Sequence, residues 1–311
     1  MIAFVFPGQG SQAVGMGQAL ADQFEICRQT FAEADDALDE SLSNLIFNGP
    51  PDRLTLTENT QPAILTMSVA VWRLLDSRGC RPALVAGHSL GEYSAHVAAG
   101  TLQFADAVRL VRNRGRYMQE AVPVGVGAMA AIIGLDEAGV IAACEEAAQG
   151  EVVSPANLNG AGQIVIAGTA AAVARASERA KARGAKRAIP LTVSAPFHCA
   201  LMKPAEVRLT PELRSVPVSD PRIPVVANVD AVPKVTATAS IDALIRQIAS
   251  PVRWENVVQR LASEGVTRYV EVGPGKALSG MIKRIAAGAT IQNVEGPDDL
   301  AAIEAAFEAL S

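Results

Sequence analysis

The chain has 311 residues, half of them hydrophobic and 19% charged, enough to bury one large core or two modest ones. A net charge of −5 leaves no basic excess to neutralise phosphates and argues against a general nucleic-acid binder. No charged-then-apolar leader and no bilayer-length apolar stretch is read, and Cys27, Cys80, Cys144 and Cys199 lack CxxC or Cys/His metal spacing. A cytoplasmic protein with reduced thiols, no metal site and no membrane partner is therefore expected.

Residues 2 to 6 (Ile-Ala-Phe-Val-Phe) predict a central strand, ended by Pro7-Gly8-Gln9-Gly10-Ser11-Gln12. Gly8-x-Gly10-x-x-Ala13 nominally fits a dinucleotide fingerprint. Pro7, Gly15 and Gly17 delay the next helix, however, and no second strand ends in an acidic residue about twenty positions on. A better use for this loop is to bring a backbone N–H close to a reacting centre, since glycine removes the obstructing side chain. Residues 18 to 40 predict a helix, as do 60 to 78, begun by Thr60 with Pro62 in its first turn.

Ala83-Leu84-Val85-Ala86 predicts a buried strand, and Gly87-His88-Ser89-Leu90-Gly91 follows it directly before an apolar helix from Glu92. Gly-x-Ser-x-Gly between strand and helix is the pattern of a nucleophile on a tight turn. Side chains two residues either side of the serine would have no room, so both flanks are glycine. The hydroxyl stands at a helix start, where the free N–H of Leu90 and the helix dipole can stabilise an oxyanion. An ordinary buried serine in a glycine-rich turn is the competing reading.

The helix of about 104 to 120 places Ala107, Val111 and Met118 on one face, and Arg109, Arg112 and Arg116 on the opposite, solvated side. Arg114 falls inside the apolar stripe. An unpaired guanidinium buried there costs roughly 3–5 kcal/mol. Its partner is either an internal carboxylate or one that arrives with a substrate, and periodicity does not choose between them.

From 128 to 193 the predicted order is strand (Ala128–Leu135), helix (Asp136–Gln149), strand (Val152–Leu158), strand (Gln163–Thr169), helix (Ala170–Arg183), strand (Lys186–Val193). That βαββαβ order predicts a ferredoxin-like unit. Arg175, Arg179, Lys181, Arg183, Lys186 and Arg187 form a basic cluster, either plainly solvated or a contact for an acidic or phosphate-bearing partner. Ser194 to Ala200 then forms a loop into a helix. Further on come a strand (Ile223–Asn228), a helix (241 to 249), a turn around Pro251, a helix (255 to 263) and a strand (Thr267–Val272). A last helix has Leu300, Ile303, Phe307 and Leu310 on one face. The expected fold class is α/β: a body with a mostly parallel sheet, formed by 1–126 and 197–311, interrupted by a ferredoxin-like insert at 127–196.

A serine at neutral pH needs a proton acceptor, and the chain has three histidines. His88 adjoins Ser89 and points the other way, and His96 lies in the apolar helix. His198 sits on a loop at a domain boundary and is the candidate by elimination. Cys199 is a rival nucleophile without a sign of activation. No carboxylate stands out as an orienting group, so a Ser–His dyad held by a backbone carbonyl and a Ser–His–Asp set both remain open.

These motifs together resemble the malonyl-CoA:acyl-carrier-protein transacylase family. The likeness runs in order through Phe6–Gln12, Thr60-Gln61-Pro62-Ala63, Gly87–Tyr93, Arg114-Gly115, Met118-Gln119, Gly127-Ala128-Met129, Pro196-Phe197-His198, Gln247–Trp254 and Glu271–Gly275. It implies an α/β-hydrolase-like body with a ferredoxin-like insert, a Ser89 nucleophile, and His198 as general base and acid. It further implies an oxyanion hole from the N–H groups of Gln9 and Leu90, and a Gln247 main-chain carbonyl orienting His198. Arg114 would pair with the malonyl carboxylate, with His88 and Phe197 also in the substrate site. Where some members carry a smaller residue such as Ser, this chain has Phe197, which implies malonyl over methylmalonyl on steric grounds.

The resemblance also implies malonyl-CoA and an acidic acyl carrier protein as partners, no metal or redox cofactor, and a monomer. Its rivals are a serine hydrolase or thioesterase on a similar body, and a non-catalytic nucleotide- or carrier-binding protein using the Gly8–Ala13 loop.

Overall fold

The structure is a computed structural model, and it describes residues 1–308. Among the described residues ten strands occur in chain order: β1 (Ile2–Phe6), β2 (Leu84–Gly87), β3 (Gly127–Ile133), β4 (Val153–Leu158), β5 (Gln163–Thr169), β6 (Arg187–Pro190), β7 (Val225–Val226), β8 (Pro233–Lys234), β9 (Arg268–Val272) and β10 (Thr290–Val294). They make a six-stranded sheet, ordered β10-β9-β1-β2-β7-β8, and a four-stranded sheet, ordered β4-β5-β3-β6. In the first sheet every pairing is parallel except β7 with β8.

All five residues of β1 are buried, as expected of a strand covered on both faces. Its period-2 alternation divides them. Ile2, Phe4 and Phe6 join the larger core with helices Glu25–Leu38, Thr57–Ser77 and Phe104–Glu120. Ala3 and Val5 face the opposite core with helices Trp254–Ser263 and Ala277–Ile285. One apolar strand therefore holds two helical layers on the sheet.

The smaller sheet is antiparallel throughout, in the ferredoxin-like order. On one face Ala130, Ile132 and Ile166 pack under helices Glu137–Ala148 and Ala170–Ala182. On the other, Met129, Ala131 and Val165 pack with Cys199, so this sheet backs directly onto the segment carrying His198. Bonds from Leu158 N–H to the Val252 carbonyl (2.8 Å) and from Val252 N–H to the Ala156 carbonyl (2.9 Å) also tie β4 to the turn that follows Gln247.

Several boundaries differ from the sequence reading. The 18–40 helix is two, Gln18–Gln23 and Glu25–Leu38, because Phe24 is extended and turns its half-buried ring towards the larger core. The next long helix starts at Thr57, so Pro62 lies inside it and not in its first turn. The predicted strand 186–193 contracts to Arg187–Pro190, and Ile223–Asn228 to two residues. Helix Ala277–Ile285 and strand β10 were unread. β10 is an edge strand carrying Gln292 and Asn293, so it offers no apolar run to detect. Arg112 is half-buried against Glu40 and is not on a freely solvated face. Leu310 of the terminal helix lies outside the described residues.

Candidate active site

β2 ends at Gly87, helix Gly91–Ala98 begins four residues later, and Ser89 between them has φ +52°. A left-handed conformation at a non-glycine residue is strained and persists only where neighbours fix it. They do so here. A Cβ on Gly87 would lie 1.9 Å from the Gly91 carbonyl carbon, and one on Gly91 would lie 2.0 Å from the Phe6 carbonyl oxygen. Asn228 spans the turn, accepting the Ser89 N–H (2.7 Å) and donating to the Gly87 carbonyl (2.7 Å).

The loop after β1 packs on this turn, since a Cβ on Gly8 would reach within 2.5 Å of the His88 carbonyl oxygen. That contact accounts for the glycine pattern that mimics a nucleotide fingerprint. The backbone N–H groups of Gln9 and Leu90 have no acceptor among the described residues, and both residues line the cleft that holds Ser89.

His198, also at positive φ (+59°), is brought to Ser89 from 109 positions downstream. Its Nε2 lies 2.7 Å from Ser89 Oγ and its Nδ1 3.0 Å from the Gln247 carbonyl oxygen. A carbonyl only accepts, so Nδ1 carries the proton and Nε2 presents a lone pair to the serine hydroxyl. Of the two arrangements left open by the sequence, the geometry is a dyad held by a backbone carbonyl. Burial first, then the Arg114 charge, pushes the His198 pKa down to about 3, so the ring is neutral at pH 7.

Arg114 is 2% exposed. The next residue explains how its helix comes so near: a Cβ on Gly115 would stand 2.6 Å from the Glu58 Cα, so glycine allows the two helices to touch there. Arg114 Nη1 donates to Gln61 Oε1 (2.7 Å), and its Nη2 donates to Gln247 Oε1 (2.8 Å) and Ser89 Oγ (3.1 Å). No carboxylate among the described residues lies within ion-pair distance of it. From Gln61 the chain of bonds continues to Thr57 and on to the Gln9 side chain (3.0 and 2.8 Å), linking the arginine to the loop after β1.

His88 faces away from the dyad, with Nε2 2.9 Å from Asn159 Oδ1 of the insert and its ring against Trp254. Burial lowers its pKa. Phe197 is half-buried and, like His88, lines the cleft. Met129, Asn157, Leu191 and Val193 supply the opposite wall from the insert side. His96 is fully buried in the helix after the turn, and Cys199 is buried with its thiol pKa raised to about 11 by desolvation. Among the described residues no group of three or more His, Cys, Asp or Glu is placed to hold a metal ion.

No role for Asn228, Asn159 or the side chains of Gln61, Gln247 and Glu92 follows from the sequence, although the last three lie within its motifs. Their signal was a polar residue among buried apolar ones: Gln61 sits in a helix that is almost entirely buried, and Asn228 follows Val225–Ala227.

A serine hydroxyl aligned on a neutral imidazole, beside two free N–H groups, is chemically equipped for covalent acyl transfer. The chain belongs to the acyl transferase family: the acyl transferase domain matches residues 3–293. Within that family it stands with the malonyl CoA-acyl carrier protein transacylases. The Salmonella typhimurium protein of that name is 54% identical over 301 residues, covering 96% of this chain and 97% of the relative. An acyl carrier protein S-malonyltransferase from Vibrio cholerae superposes with a TM-score of 0.96 at 51% identity, covering 97% of this chain and 99% of that one. A malonyl-transacylase solved in complex with a type II PKS acyl-carrier protein also gives 0.96, at 49% identity over 98% of this chain and 99% of that one.

Proposed function

We propose that this protein transfers the malonyl group from malonyl-CoA to the phosphopantetheine thiol of acyl carrier protein, by a ping-pong route through a malonyl-Ser89 ester. The observation that carries the reading is Arg114, a buried guanidinium in contact with the nucleophile and with no carboxylate partner of its own. A malonyl carboxylate supplies that partner, and an acetyl group does not.

The steps balance with the residues present. Ser89 Oγ gives its proton to His198 Nε2 and attacks the thioester carbonyl carbon. The Nδ1–H bond to the Gln247 carbonyl keeps the resulting imidazolium in place. The N–H groups of Gln9 and Leu90 receive the oxyanion. Collapse expels the CoA thiolate, which takes the proton from Nε2. The carrier thiol then gives its proton to His198 Nε2 and attacks the ester carbonyl; collapse breaks the bond to Ser89 Oγ, which takes that proton back from Nε2. One thioester is exchanged for another, so the scheme calls for no metal or redox cofactor. The site is complete within one chain, consistent with a monomer.

Phe197 lines the cleft that holds Ser89, where a bulky side chain would crowd a branched α-carbon and favour malonyl over methylmalonyl. In the basic cluster Arg175, Lys181 and Arg183 are paired with Glu151, Glu178 and Glu146. Lys186 and Arg187 have no ion pair among the described residues and lead along β6 towards Leu191 and Val193 in the cleft wall. They are the basic groups best placed for an acidic carrier. No described helix is long and apolar enough to cross a membrane, and four free, buried cysteines fit a reducing cytoplasm.

Intact mass after mixing with malonyl-CoA tests the reading. A single malonyl adduct is expected on the wild type and none on Ser89→Ala; an adduct persisting on that variant overturns the nucleophile. Attack on the isolated adduct by a carrier thiol should far outrun attack by water, and the reverse order would make the protein a thioesterase.

A further inference from the structure

Gln247 meets the site twice. Its carbonyl accepts the hydrogen bond from His198 Nδ1–H, and its side-chain oxygen accepts one from Arg114 Nη2. The second contact depends on which end of a near-symmetric amide faces the guanidinium. Flipped, the amide would set an NH₂ group against Nη2, donor against donor. Something must hold the Nε2 end elsewhere.

Gln247 Nε2 donates to Glu92 Oε2 (2.8 Å) and to the Ser89 carbonyl (2.9 Å), with Asn228 Oδ1 further off at 3.4 Å. Glu92 is fully buried, two residues beyond the turn's Leu90, and its Oε2 also accepts the Asn228 N–H (3.0 Å). Its Oε1 has no partner among the described residues. A buried carboxylate is costly unless it is used, and this one is joined by two donors to residues that touch Ser89 and Arg114.

We propose that Glu92 is a positioning residue for acyl selectivity: by reach alone, its Oε2 locks the Gln247 amide with the oxygen towards Arg114, fixing the guanidinium before substrate arrives. The inference rests on the reading that Arg114 receives the malonyl carboxylate. Burial raises the Glu92 pKa to about 7, against the lowering effect of the Gln247 and Asn228 donors; Asp230 raises it further and Arg114 lowers it. A proton taken up at the unpartnered Oε1 leaves Oε2 free to accept, so the lock is indifferent to the charge state.

Two variants separate reach from charge. Glu92→Gln keeps the side-chain length and can keep an oxygen at the Oε2 position. Glu92→Asp keeps the carboxylate and withdraws it by about 1.5 Å, one bond length. Single-turnover acylation would be followed by intact mass with malonyl-CoA and with acetyl-CoA, and thermal unfolding would be recorded for each variant. The malonyl-to-acetyl rate ratio of Glu92→Gln is expected within threefold of wild type, and that of Glu92→Asp at least tenfold lower. An unchanged ratio in Glu92→Asp, whatever its stability, overturns the proposal. So does a drop in Glu92→Gln beyond threefold, a result that also decides the matter should Glu92→Asp fail to fold. Failure of the wild type to take up malonyl at all would instead strike the functional reading beneath it.

Discussion

The Ser89 hydroxyl lies between Arg114 and His198: Nη2 of Arg114 donates to its oxygen at 3.1 Å, and its own proton is directed to the imidazole Nε2 at 2.7 Å. The arginine is therefore placed within one acyl chain of the reacting oxygen, with two further bonds to neutral amides, and its Nε has no partner among the described residues. Neutral partners hold a guanidinium without cancelling its charge, so an incoming carboxylate meets a cation already oriented.

Arg114→Ala should lower kcat/KM for malonyl-CoA by about 3 kcal/mol, on the order of a hundredfold, the usual loss for a buried charged partner. Acetyl transfer should fall by much less, since acetyl never used the charge. Arg114→Lys should recover only part of the malonyl activity, because an ammonium cannot serve Gln61, Gln247 and a carboxylate from one plane. Parallel losses for the two acyl groups would remove Arg114 from the recognition of the substrate.

The dyad carries a second expectation. His198 is held neutral down to about pH 3 in the free enzyme, whereas an ordinary histidine loses its basic form below about 6.5. The rate of Ser89 acylation should therefore show no histidine-like acid limb between pH 7 and 5. Stopped-flow release of CoA thiol across that range measures it. A tenfold fall per pH unit beginning near 6.5 would mean that the imidazole is far more solvated than its packing implies.

How far the sequence reached follows from what each feature is made of. Ser89, its glycine flanks and the position of Arg114 on an apolar stripe were legible because they are local: a tight turn and a helical period act within a few residues. The two-sheet architecture was legible for the same reason, as the succession of strands and helices in the body and the βαββαβ order of the insert are both built from short-range patterns. The Gln247 side chain, Asn228 and Glu92 were not. Their roles arise where the turn after β2, the end of β7 and the helix Ala237–Gln247 meet, and no periodicity marks a bond between residues 92 and 247. Edge strand β10 escaped because polar residues suffice where one side of a strand is open.

The turn glycines give a paired prediction on stability. Gly87→Ala and Gly91→Ala place a Cβ about 2 Å from backbone atoms that no rotamer change can move. Each should cost about 3 kcal/mol or more, at or beyond the upper range for overpacking, and abolish acylation. Gly280→Ala is the control. It lies inside helix Ala277–Ile285 with nothing within 4 Å of the added carbon, so it should stabilise by roughly 0.5–1 kcal/mol and leave activity alone. Urea unfolding of the three variants decides it, and a harmless Gly91→Ala would contradict the packing of the turn on β1.

His96 sets the acid stability of the body. It is fully buried in the helix after Ser89, neither ring nitrogen has a partner among the described residues, and burial pushes its pKa down to about 3. Unfolded, the same ring titrates near 6.5. Between those values the unfolded chain binds one more proton, so stability present above pH 6.5 is lost as pH falls, by about 1.4 kcal/mol per unit. His198 and His88, both with pKa values lowered by burial, add contributions of the same sign. Glu92 opposes them: its raised pKa makes the folded state bind the extra proton between the ordinary carboxylate range and about 7, so its contribution fades as pH rises through that window. His96→Leu removes one of the three histidine terms and no longer buries two unsatisfied nitrogens. Its unfolding free energy, measured in urea at pH 7.5, 6.0 and 5.0, should decline less steeply than that of the wild type by about one proton. Parallel curves for the two proteins would show that the His96 ring is already solvated or paired in the folded state.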